Sequence, residues 1–456
     1  MKHLRGLIGL VAVAALMGGV AQAQRIAKEP VEDYIHEPMP PGFQVIIAEL
    51  EGPVFADAKG KTLYTWPLNA VRNGDLGERK NTPTCDDTHQ RVSSGLQSPY
   101  PPGLELPDVE NRPSCIQYWP PVYASADSKA VGNFTVVDRK DGRKQWAYEG
   151  YALYSSALDE LPGDVRGGTK WWRTGGDGRE TGVLRIPAGP PPAIPPQFAI
   201  NQISAGRLLT TAANDRSVYV FDKDTATKSN CDAACLREWA PVLAPEGVKP
   251  QGEWAIIESS PGIKQWTFRK KPIYTHILDS IPHSRQGSDV PGWHNVFTQK
   301  APPAPKGWTV HGNREGDVLA DPEGRTVYIY RCNDDAVDQL ACDHPTQPQV
   351  YRLAVCGKND PALCNKMFPY VIAANDAKSD TRIWSVMDIN PTTGKKAAPN
   401  DPGALHVWAY RDRPVYTCAR DKKPGDIECD SWGELFGLRN GFKAFWVRDD
   451  FGGYHG

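Results

Sequence analysis

The chain reads as an all-β protein built of three tandem small β barrel or sandwich modules, each of two similar half-units and stapled by disulfides. Three observations predict this. First, a strand ending in Tyr with Asp or Asn five residues on occurs six times: Tyr64 to Asn69, Tyr154 to Asp159, Tyr219 to Asp224, Tyr274 to Asp279, Tyr328 to Asn333 and Tyr416 to Asp421. The copies alternate in kind. One follows a turn and a short apolar strand, as in Asn214-Asp-Arg-Ser-Val-Tyr219; the other follows a tryptophan strand, with Trp146, Trp266 or Trp408 eight residues before the tyrosine. Recurrence at this scale is the signature of a repeat architecture. Second, helical periodicity is weak, while 42 glycines and 41 prolines supply turns. Third, 14 tryptophans and ten cysteines suit crosslinked β structure and exclude a disordered secreted tail.

Lys2, His3 and Arg5, the apolar run Leu7 to Val20 and Ala21-Gln22-Ala23 predict a signal peptide over residues 1–23. The run is shorter than the roughly 20 residues that span a bilayer, and no later segment is apolar enough, so no transmembrane segment is expected after cleavage. No cysteine stands at the boundary to take a lipid. The expected location is periplasmic or secreted.

Residues 24–43, with Pro30, Pro38, Pro40 and Pro41, read as an extended arm. Module 1 covers 44–186, a Pro-rich linker 187–198, module 2 199–300, a second Pro-rich linker 301–306, module 3 307–448 and a tail 449–456. Proline fixes φ and stiffens a connection, so the modules are expected to fold separately. Unequal spacing and the stiff linkers argue against the rival architecture, one propeller of six blades.

Within a module the pattern is hairpin, crosslinked loop, hairpin. Val136 to Tyr148 turns at Asp141-Gly142, a strong hairpin signal. Ala255 to Trp266 turns at Pro261-Gly262, and Ser385 to Asp388 pairs forward to Trp408 across a longer insertion. The recurring Trp146, Trp266 and Trp408 are predicted core. Asp232 to Trp239 is the best short helix, and 70–114 and 334–363 read as irregular surface loops.

Tyr-x-aromatic-x-x-Asp, then a cysteine pair, Trp-Pro-Pro, and Gln-Trp-x-Tyr with a second Tyr and Asp resembles the secreted repeat of unknown function, also described as predicted lipoproteins with this motif. The resemblance covers roughly residues 44 to 448. It implies secretion and a repeat architecture, and no particular activity. Tyr219 to Asp224, with Phe221, fits the short motif fully; Asn69 and Asn333 replace the acid, and Ser156, His276 and Cys418 replace the aromatic.

Export to an oxidising compartment makes disulfides the default for all ten cysteines. Cys115, Cys235 and Cys364 each stand four residues before an aromatic, Trp119, Trp239 or Phe368. The expected upstream partners are Cys85, Cys231 and Cys342, with Cys356 as the alternative to Cys342. Cys418 and Cys429 flank a turn and read as a local staple. Cys332 is left to whichever of Cys342 and Cys356 remains.

Net charge is only -2, which excludes a basic field for nucleic acid or anionic lipid. No Gly-x-Ser-x-Gly, Ser-x-x-Lys, His-Glu-x-x-His or phosphate loop is present. The tyrosines and acids admit an acid–base reading; equally, a packed Tyr and a turn-capping Asp account for their recurrence. His276, Asp279, His283, Asp289 and His294 form a candidate metal-ligand set in module 2. Trp171 and Trp172, on a glycine-rich loop, are candidates for stacking on a ligand such as a sugar. No cofactor is expected. The functional expectation is an exported, non-enzymatic binding or scaffolding protein of the cell envelope, whose partner is an envelope protein or a glycan. The alternatives are a periplasmic metal-binding or redox accessory protein and a carbohydrate-active enzyme.

Overall fold

The computed structural model describes residues 34–66, 78–87, 114–167, 186–332, 344–347, 349–433 and 440–450. The protein is all-β, with strands far outnumbering helices and every ladder antiparallel. The second repeat shows the plan. Phe198–Ile203 and Gly206–Thr211 form a hairpin, Gly206 opposite Ile203 and Thr211 opposite Phe198, and Phe297–Lys300 adds on its other side. The second sheet runs Trp254–Ser260, Ile263–Phe268, Lys271–His276, Tyr219–Phe221, Trp293–Asn295, with Trp239–Pro241 also on Lys271–His276.

The third repeat copies both sheets. Thr309–Asn313, Gly316–Ala320 and Trp446–Asp449 form one; Trp384–Ile389, Leu405–Tyr410, Arg413–Tyr416, Tyr328–Cys332 and Asn440–Ala444 form the other. In the first repeat, Gln44–Ala48 pairs with Gly52–Ala56, and Lys144–Tyr148 lies between Phe134–Asp138 and Tyr123–Ala124.

Turn chemistry explains the hairpins. Gly142 and Gly262 adopt φ of 80° and 77° at the two turns read from the sequence. The next hairpin of each repeat closes in two residues, both at positive φ: Glu149-Gly150, Arg269-Lys270 and Arg411-Asp412. That double positive φ matches the right-handed strand twist in a two-residue loop, and it holds here even with arginine, lysine and aspartate in place of glycine.

Helices correct two expectations. Asp232 to Trp239 yields only the short 3-10 turn Cys235–Arg237. The segment read as the irregular loop 334–363 instead carries a helix, Val350–Gly357, followed by a second, Pro361–Met367. The second starts where Pro361 follows Asp360, whose Oδ1 accepts from Ala362 N at 2.8 Å. Gly357 lets the pair close, because a Cβ there would lie 2.8 Å from Cys364 N.

Trp146 and Trp266 are buried as predicted, whereas Trp408 is half-buried and packs against Trp308. The proline stretches are not free spacers. Ile35 N donates to Pro191 O, and Ala301 and Ala304 pack on the core of the third repeat.

The repeats also touch one another. Arg411 pairs with Glu51, both nearly buried, at 2.5 Å, and Arg166 pairs with Asp412 at 2.7 Å, joining the first repeat to the third. Leu50 enters the third repeat's core. Gln299 Nε2 donates to Ala48 O and Glu49 O, joining second to first, and Arg285 N donates to Asp450 Oδ1, joining second to third.

Candidate functional site

Antiparallel pairing places the recurring tyrosines directly opposite one another: Tyr219 faces Tyr274, Tyr328 faces Tyr416 and Tyr64 faces Tyr154. An antiparallel ladder centred on such a pair relates its two half-units by a local two-fold. All six rings are essentially fully buried. The two-fold then sends four of the hydroxyls, those of Tyr64, Tyr219, Tyr274 and Tyr328, to the motif acid of the other half-unit, not to their own.

Tyr64 Oη donates to Asp159 Oδ2 at 2.8 Å, Tyr328 to Asp421 Oδ2 at 2.9 Å, and Tyr219 to Asp279 Oδ2. In the reverse direction Tyr274 reaches Asp224 Oδ2 at 2.7 Å. In the first repeat Asn69 lies outside the described residues, and Tyr154 donates to Glu78, which also accepts from Thr84 N at 2.8 Å. In the third repeat Asn333 also lies outside the described residues. There the Arg352 guanidinium sits 5.6 Å over the Tyr416 ring and 5.7 Å over Tyr370.

The second carboxylate oxygen caps the loop that follows. Asp159 Oδ1 accepts from Arg166 N, Asp279 Oδ1 from Gln286 N and Asp421 Oδ1 from Glu428 N, each at 2.9 Å. Asp224 Oδ1 accepts from Asn230 N at 2.6 Å. In these four pairs one carboxylate thus ties a core tyrosine to a loop backbone. Burial sets the electrostatics: it raises Asp159 to about 7 and Asp279 and Asp421 to about 6, and pushes their tyrosine partners well above the ordinary phenol range.

The five candidate metal ligands have separate engagements. His276 is buried with its ring centroid 4.3 Å from that of Trp239, and burial lowers its pKa. Asp279 serves Tyr219. His283 is half-buried at φ 64°, Asp289 pairs with Arg448, and His294 pairs with Asp222 at 3.0 Å. Among the described residues no group of three or more His, Cys, Asp or Glu side chains is placed to hold a metal ion. Trp171 and Trp172 lie outside the described residues.

The disulfides joining Cys85 to Cys115, Cys231 to Cys235 and Cys418 to Cys429 occur as read from the sequence. For Cys364 the partner is Cys356, not Cys342, because the two helices of the pair bring these residues together. Cys342, left for Cys332, is outside the described residues. Each local disulfide borders an aromatic stack. Trp239 lies on Trp293 at 3.6 Å and Phe368 on Phe442 at 3.5 Å, both nearly parallel. Trp293 and Phe442 hold the same register, opposite Phe221 and Tyr330. Phe442 is therefore the counterpart of Trp293.

A family model described as a secreted repeat of unknown function matches residues 135–172. This stretch carries that secreted repeat. It takes in Thr135 to Asp138, the strand Lys144–Tyr148, Tyr154 and Asp159, so the matched unit is a second half-unit, whose brace partners Glu78 and Tyr64 lie outside the match. No curated protein and no solved structure matches the chain. Sequence reasoning missed Glu78 and Arg352, since neither occupies a motif position.

Proposed function

We propose that this protein is a non-enzymatic binding or scaffolding protein of the cell envelope. An exported protein is what the secreted repeat supports directly. One observation carries the finer reading: the residues that recur along the chain are spent internally. Buried tyrosines and acids brace half-unit to half-unit, with the hydroxyl and both carboxylate oxygens engaged. Such groups hold a shape and do not face a substrate. Among the described residues no helix is long and apolar enough to cross a membrane.

Residues 44–186, 199–300 and 307–448 are proposed as three modules on this scaffold. Each strand ladder joins strands of a single repeat. The mature chain tests the reading by co-sedimentation with purified peptidoglycan sacculi and with outer-membrane vesicles. Saturable retention by one of them, without change to the retained material, is the expected result. Absence of retention by both would overturn an envelope-binding role, and release of cleaved glycan would favour an enzyme.

A further inference from the structure

Arg352 is buried to 0 % exposure within the third repeat. Among the described residues no carboxylate lies within ion-pair distance of it. Burying a guanidinium is costly unless an anion or hydrogen-bond acceptors meet it. Its recorded contacts are Gln349 Oε1 at 3.3 Å from Nε, two tyrosine rings, and Cys364 Sγ at 3.2 Å from Nη1. Against the phenols of Tyr370, Tyr416 and Tyr330 that also face the guanidinium, the sulfur of a reduced Cys364 is the stronger acid, about 8.5 against about 10 for free groups. Cys364 is fully buried and its disulfide partner Cys356 is half-buried, next to the exposed Lys358 and Asn359.

We propose that the disulfide of Cys356 and Cys364 is a thiol-exchange site for dithiol reductants, with Arg352 as the charge that holds its reduced form. The steps balance as follows. A thiolate of the reductant attacks the sulfur of Cys356, the less buried residue of the pair, the bond between the two cysteine sulfurs breaks, and the electron pair leaves on Cys364. Cys364 becomes a thiolate paired with Arg352. The reductant's second thiol then attacks its own sulfur in the mixed disulfide. Cys356 leaves and takes the proton that this second thiol gives up. The reductant ends as a disulfide, two electrons having passed to the cysteine pair.

A leaving thiolate of lowered pKa departs faster, and stabilising the reduced form makes a disulfide more oxidising. Among the described residues, the disulfides of Cys231 with Cys235 and Cys418 with Cys429 have no guanidinium on a sulfur. Cys235 is half-buried, and among the described residues neither sulfur of its pair with Cys231 takes a hydrogen bond. Cys418 Sγ accepts only from a backbone amide, Arg420 N at 3.2 Å.

The test equilibrates the full mature chain in graded glutathione redox buffers, quenches with acid, alkylates and maps the peptides. Cys356 with Cys364 should open at a more oxidising ratio than the pairs Cys85 with Cys115, Cys231 with Cys235 and Cys418 with Cys429. Arg352→Met should lower its equilibrium constant for reduction at least tenfold, about 30 mV for this two-electron couple. Opening together with or after the others, or no change in Arg352→Met, would overturn the proposal. Should Arg352→Met fail to fold, Cys356→Ser in the Arg352 background leaves Cys364 as a single thiol in that pair. Its thiolate absorbance near 240 nm should titrate well below the roughly 8.5 of a free cysteine. A midpoint at or above that value refutes the idea equally.

Discussion

The second and third repeats place the same tyrosine on the same strand position and give it opposite company. In the second, Tyr274 donates to a carboxylate, Asp224, which in turn caps the backbone at Asn230. In the third, a guanidinium on an inserted helix, Arg352, lies over the ring of Tyr416. The two-fold ladder is unchanged, because the ring supplies the buried volume in both cases. What packs around the ring therefore differs between repeats while the ring itself stays in place. In the first repeat a carboxylate off the motif, Glu78, accepts from Tyr154.

The largest expected effect is common to the repeats. Tyr219→Ala and Tyr328→Ala should each cost about 3–5 kcal/mol, the range for deleting a buried aromatic. Equilibrium denaturation of the full chain measures this. An unchanged midpoint would remove the packing role on which the comparison rests.

Next comes the brace alone. Asp224→Ala leaves the Tyr274 hydroxyl and the Asn230 amide without their acceptor, a loss of about 1–3 kcal/mol per stranded buried group. A loss below the error of the melt would mean that the second repeat tolerates an absent acid, which would erase its contrast with the third.

The pH response sharpens the contrast between a neutral and an ionised brace. Burial holds Asp279 at about 6, above the roughly 3.9 of an unfolded chain. A raised acid disfavours its ionised form in the fold. Its contribution to stability is therefore greatest below about pH 4, falls as pH rises to about 6, and is level above that. Asp279→Asn, which cannot ionise, should gain on the parent protein across this window. Parallel melting curves from pH 4 to 7 check the sign, and a constant difference would contradict it.

The smallest effect is expected at Arg352. Arg352→Met removes contacts and a desolvated charge together, and such exchanges are often near neutral, so a change within about 1 kcal/mol is expected. A loss as large as that of Tyr219→Ala would make Arg352 as essential as the rings.

Much of the fold was legible. The six tyrosines, the Asp141-Gly142 and Pro261-Gly262 turns and the local pairs Cys231 with Cys235 and Cys418 with Cys429 are short-range signals, and the structure places them as read. The Asp232 to Trp239 helix failed because the Cys231 to Cys235 disulfide closes that segment into a tight turn. The helices at Val350 and Pro361 were hidden in a stretch that breaks the repeat pattern. Asp360-Pro361 was the available start signal.

The sequence by itself determined the repeat, its alternation into two kinds of half-unit and the residue types of the brace, since these depend on spacing along the chain. Which acid serves which tyrosine was decided by the tertiary structure. Antiparallel pairing exchanges partners across the local two-fold, so Tyr219 meets Asp279 and Tyr274 meets Asp224, about fifty to sixty positions away. The choice of Cys356 over Cys342, the recruitment of Glu78 and the pairing of Arg411 with Glu51 were settled in the same way. Each joins groups far apart or off the motif, and only packing brings a buried charge to its partner.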